Sequence, residues 1–132
     1  MTKFSRFIRY WLPPIVWMAL IFYLSSRLRT SVTGEFLFDF LIFKMLHFIE
    51  YAILYFLLFR AFYSINNHQL TINNKFLFPV LLSILYATLD ELHQTFVPTR
   101  EGKLRDVIID IAGIIFMYIY IKNYFKKVKK FL

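Results

Sequence analysis

Four long apolar runs, each ending in a cluster of polar residues, set the pattern of this chain. They cover 10–26, 41–63, 76–94 and 106–124. Each is close to the roughly 20 residues that cross about 30 Å of hydrocarbon at ~1.5 Å per residue. None shows the strict two-residue alternation of a strand, and a sheet in lipid would have to close into a barrel. The pattern therefore predicts an all-α polytopic membrane protein, a four-transmembrane-helix bundle forming one domain over 1–132. Pro13 and Pro14 fall near the start of the first run, where missing amide donors matter least. The connections 27–40, 64–75 and 95–105 are polar. Glu35, Asp39 and His68 are expected in solvated loops.

Composition points the same way. Hydrophobic residues make up 59% of the chain and charged residues 18%, against roughly 45–50% and about 25% in soluble domains. Too little polar surface remains to coat a water-soluble core. The formal net charge is +8, but the basic residues gather at the chain ends. Such tails suit anionic lipid headgroups, and no nucleic-acid partner is expected. Lys3, Arg6, Arg9, Arg60, Lys75, Lys122, Lys126, Lys127, Lys129 and Lys130 fall on one side of a four-span arrangement. Arg27, Arg29, Lys44, Arg100, Lys103 and Arg105 fall on the other. This bias predicts both termini in the cytoplasm. No small-residue cleavage site follows Ser25 and Ser26, so the first run is expected to be a retained helix. Cys is absent, which excludes disulfides, a thiolate nucleophile and Cys-ligated zinc.

The charged residues inside the runs share a depth. Asp90 is about 22 Å along the helix from Lys75, Asp110 about 18 Å from Lys122, and Glu50 and His47 about 20 and 24 Å from Tyr63. Antiparallel helices bring these positions to one layer, whichever way the protein is inserted. They also share faces, with Lys44, His47 and Tyr51 on the second helix, Asp90, His93 and Gln94 on the third, and Asp106, Asp110 and Gly113 on the fourth. A charge near mid-membrane costs at least ~2.5–3.5 kcal/mol, so these faces are expected to meet each other or a water-filled cavity. Gly113 could serve simply to let helices approach closely.

The stretch DELHQTFVPTREGKLRDVIIDIAG from Asp90 to Gly113, with KMLHFIEY at 44–51, resembles the VanZ-like family of bacterial membrane proteins. The specific part is E-x-H-Q-x-F-x-P-x-R followed by an Asp six residues beyond the Arg. The matched positions are Lys44, His47, Tyr51, Glu91, His93, Gln94, Pro98, Arg100, Asp106 and Gly113. Phe43 stands where the family often has Asp, and Asp110 where it often has Asn, so the family's charge inventory does not transfer whole. The family takes its name from a protein linked to low-level teicoplanin resistance, which implies antibiotic-related work at the outer face of the bacterial cytoplasmic membrane. Some relatives carry a butyryl-transfer label, but this chain has no phosphate loop or acyl-transfer triad to support it.

Three functions fit these residues. In an enzyme, a hydrolase or transferase, His47, Asp90, Glu91, His93 and Asp106 would be the catalytic acids and bases. Lys44, Tyr51, Gln94, Arg100, Arg105 and Asp110 would bind a lipid-linked headgroup, Arg100 through its planar fork. In a binding protein the same pocket would capture a lipid-linked cell-envelope precursor or a lipoglycopeptide without turnover. In a structural protein the cluster would only tie the helices together. The sequence requires no cofactor. Two imidazoles and several carboxylates at one level would suit a divalent metal, although no H-E-x-x-H spacing is present. Membrane lipids are the expected surroundings in every case.

Overall fold

The computed structural model describes residues 2–27, 33–65, 70–100 and 102–132. Arg29 and His68 lie outside the described residues. Among those described, every regular element is helical and no strand occurs. The long helices are α1 (Lys3–Ser26), α2 (Phe36–Tyr63), α3 (Ile72–Gln94) and α4 (Leu104–Asn123). A short helix, α5 (Phe125–Val128), follows.

Each long helix starts before the apolar run that announces it, for local reasons. Thr2 caps α1, its hydroxyl accepting from the Ser5 amide at 3.1 Å. The helix then widens to a π turn over Phe7–Trp11. That turn stands just ahead of Pro13 and Pro14, which offer no amide to the carbonyls four residues earlier. At the start of α2, Asp39 accepts from the Thr33 amide at 2.7 Å and the Thr33 hydroxyl at 2.8 Å. The sequence suggests a solvated Asp39, but the side chain is buried, because its carboxylate gathers donors at a helix N-terminus. Thr71 caps α3 by accepting from the Asn74 amide at 3.3 Å.

The closest packing joins α2 and α4, with α3 against both. A Cβ at Gly113 would run into the backbone carbonyl of Phe48, so glycine is what permits this crossing. Helix α1 lies against α2 and α3. The Trp17 indole donates to the Glu50 carbonyl at 2.9 Å, and the Tyr86 hydroxyl donates to the Met18 carbonyl at 2.6 Å. The apolar core holds Ile21, Tyr51, Leu54, Tyr55, Leu58, Phe59, Ala87, Ile114 and Ile121. Phe59 and Phe76 form its tightest ring contact, with centroids 4.6 Å apart.

The outside of the bundle is also apolar, with Val16, Leu81, Leu85, Ile108 and Phe116 among its exposed side chains. Lys3–Ser26, Phe36–Tyr63 and Ile72–Gln94 are each long and apolar enough to cross a membrane. A bundle that is apolar outside, with carboxylates buried inside, is built for lipid, and this is a membrane protein.

Candidate functional site

Polar side chains converge where the C-terminal ends of α1 and α3 meet the N-terminal parts of α2 and α4. Three groupings can be distinguished, and they adjoin one another.

Asp90 is the hub of the first. Its Oδ1 accepts from the Ser25 hydroxyl at 2.6 Å. Its Oδ2 accepts from the Tyr51 hydroxyl at 3.2 Å and from Gln94 Nε2 at 3.3 Å. Gln94 also donates to Glu91 Oε1 at 3.4 Å, and the Lys103 amide donates to Glu91 Oε2 at 3.3 Å. The last contact depends on Gly102, where a Cβ would collide with the Glu91 carbonyl. That glycine lets the loop after α3 fold back over the end of its own helix.

The second grouping is deeper. His47 Nδ1 stands 3.3 Å from Asp110 Oδ1. Neither that nitrogen nor either oxygen of the fully buried Asp110 has a hydrogen-bond partner among the described residues. The His47–Asp110 approach is thus close but not aligned as a hydrogen bond. Ligand atoms of His47, Glu91 and Asp110 all lie within 4.8 Å of one another.

The third grouping is cationic. Lys44 Nζ pairs with Asp106 Oδ1 at 2.5 Å, and Arg105 Nε stands 3.6 Å from the same oxygen. Both cations flank the Phe40 ring, at 5.5 and 5.0 Å from its centroid. Arg100 donates from Nε to the Arg27 carbonyl at 3.0 Å and from Nη2 to the Leu24 carbonyl at 3.1 Å. It thereby ties the loop after α3 to main-chain carbonyls at the end of α1, that of Leu24 also accepting the Arg27 amide at 3.3 Å.

Two cavities open onto these groups. One, of about 770 Å³, has Phe36, Leu37, Phe40 and Phe43 on its walls together with Lys44, His47, Gln94, Arg100, Lys103, Arg105 and Asp106. A smaller one of about 160 Å³ reaches Ser25, Arg27, His47, Glu50 and Arg100. His47 and Arg100 border both.

A family model described as VanZ/LLP1 matches residues 5–126. The chain belongs to the VanZ/LLP1 family. No curated protein and no solved structure matches it.

Within this VanZ/LLP1 chain, the side chains singled out from sequence divide by neighbour. His47, Glu91 and Asp110 come together, Asp90 joins Tyr51 and Gln94, and Lys44 joins Asp106 and Arg105. His93 turns instead toward α1, its Nε2 3.0 Å from the Ser26 hydroxyl and its ring 4.6 Å from that of Phe22. Sequence reasoning missed Ser25 and Ser26. Their only signal was a pair of hydroxyls at the polar end of the first apolar run. It also missed that Arg100 would be held by main-chain carbonyls, which no side-chain pattern announces.

Proposed function

We propose that this layer is a pocket for an amphiphile with an anionic headgroup, open toward the outer face of the bacterial cytoplasmic membrane. The observation that carries the reading is the pair of unlike walls of the larger cavity. Phe36, Leu37, Phe40 and Phe43 offer a surface for hydrocarbon, and Lys44, Arg100, Lys103 and Arg105 offer cationic donors for phosphate, pyrophosphate or carboxylate. A lipid-linked cell-envelope precursor combines those two chemistries, and so does a lipoglycopeptide. The family's association with teicoplanin supports that class of ligand.

The same reading takes the chain across the membrane four times with both termini in the cytoplasm. Helix α4 has 20 residues, about 30 Å at ~1.5 Å per residue, and it buries Asp106 and Asp110 against its neighbours. The Lys and Arg bias supports the orientation. If the pocket turns its ligand over, Asp90, Glu91 and Asp106 with His47 or His93 would be the groups to move protons.

A second reading, a network that only ties the helices together, draws on the bonds from Ser25 to Asp90 and from Arg100 to the end of α1. Glu91→Gln and Lys103→Gln separate the two, because they keep volume while removing a carboxylate beside the pocket and a cation from its wall. Under the pocket reading, glycopeptide tolerance is lost while membrane abundance stays near wild type. Parallel loss of abundance in both variants would reject it. Incubating purified protein with a lipid-linked precursor then distinguishes an enzyme, which yields a new product, from a binder, which shows saturable capture of unchanged ligand.

A further inference from the structure

We infer that His47, Glu91 and Asp110 form a site for one divalent first-row transition-metal ion of the Zn²⁺ or Mn²⁺ kind. The three side chains come from α2, α3 and α4, and each offers a ligand atom within 4.8 Å of the other two. A second observation stands apart from this clustering. Asp110 is fully buried, and both its oxygens lack a hydrogen-bond partner among the described residues, as does the buried His47 Nδ1 beside them. A carboxylate shut away from water, with no partner on one oxygen and only an unaligned imidazole nitrogen 3.3 Å from the other, is a costly group for a fold to hold, the more so inside a membrane. A metal ion there takes one ligand atom from each of the three side chains and sets a positive charge against the buried carboxylate.

Lys44 pairs with Asp106, and Arg100 donates to the carbonyls of Leu24 and Arg27. One imidazole nitrogen with two carboxylates suits zinc, manganese or iron, whereas calcium asks for six to eight oxygens and copper(I) for sulfur. Glu91 is steadied for the task by Gln94 and by the Lys103 amide, the kind of support that orients a metal ligand. The site adjoins the cavity read above as a headgroup pocket, since His47 borders it. In its functional meaning it therefore rests on that reading. Coordination positions left by the three side chains would be filled by water or by headgroup oxygens.

The test uses the full-length protein in detergent, stripped with chelator and titrated calorimetrically with ZnCl₂ and MnCl₂ alone. One ion should bind per chain, and Asp110→Asn and His47→Gln should each weaken binding by more than about 100-fold. His93→Gln should leave metal binding unchanged. If the ligand variants fail to fold, wild-type protein loaded with Co²⁺ answers by itself, through a visible absorption band of a bound ion with nitrogen and oxygen ligands. Absence of saturable binding of all three metals to folded wild-type protein would overturn the proposal. So would unchanged affinity in folded Asp110→Asn and His47→Gln. Capture of a lipid-linked precursor without metal binding would refute only the metal site, and metal binding without capture would refute only the headgroup reading.

Discussion

The Ser25 hydroxyl donates to Asp90 across a 2.6 Å bond that joins residues 65 positions apart and fastens the end of α1 to α3. Both groups are buried. Ser25→Ala leaves Asp90 Oδ1 without this donor, a loss of about 1–3 kcal/mol. Thermal unfolding in detergent should show the drop. Much of it should vanish when Ser25→Ala is made in an Asp90→Asn background, because the two changes remove one shared interaction. Strict additivity of the two substitutions would mean that the bond contributes nothing.

The crossing of α2 and α4 gives a sharper mutational contrast. Gly113→Ala pushes a methyl into the Phe48 carbonyl, and backbone cannot swing aside as a side chain can. A cost of about 3 kcal/mol is expected. Gly34 adopts φ +79°, yet a Cβ there would meet nothing within 4 Å. Gly34→Ala should therefore cost only the backbone strain, about 1 kcal/mol. Equal melting temperatures for Gly113→Ala and wild type would refute the close crossing.

Arg100 is expected to behave as a structural tether whatever else it contacts. A lysine ammonium cannot put two fixed donors on the carbonyls of Leu24 and Arg27, so Arg100→Lys should destabilise by about 1–2 kcal/mol. Arg105→Lys, at a largely exposed side chain, should change the melting temperature little. The reverse order would show that the end of α1 is held by other groups.

Membrane orientation is tested with single cysteines at positions that tolerate them. Lys103 and Asn73 are both exposed and sit at opposite ends of the bundle. In intact cells an impermeant maleimide should label Lys103→Cys and spare Asn73→Cys. Labelling confined to Asn73→Cys would invert the proposed topology.

The sequence by itself determined that the chain is helical and suited to lipid, and that its buried charges lie in one layer. Those properties depend on run length, on the 1.5 Å rise and on the 3.6-residue turn, all of which are local. Helical period tells which residues share a face but not which neighbouring face they meet. Only the tertiary structure decided that His47 meets Asp110 while His93 turns to Ser26, because the rotation of each helix is set by contacts such as Gly113 on Phe48. The burial of Asp39 and the main-chain partners of Arg100 were not legible for a related reason. The groups these two side chains meet, carbonyls at the end of α1 and the Thr33 amide, are main-chain groups that every residue possesses. Nothing in the identity of a residue marks its carbonyl or amide as the one to be met, and only the fold brings a side chain to it.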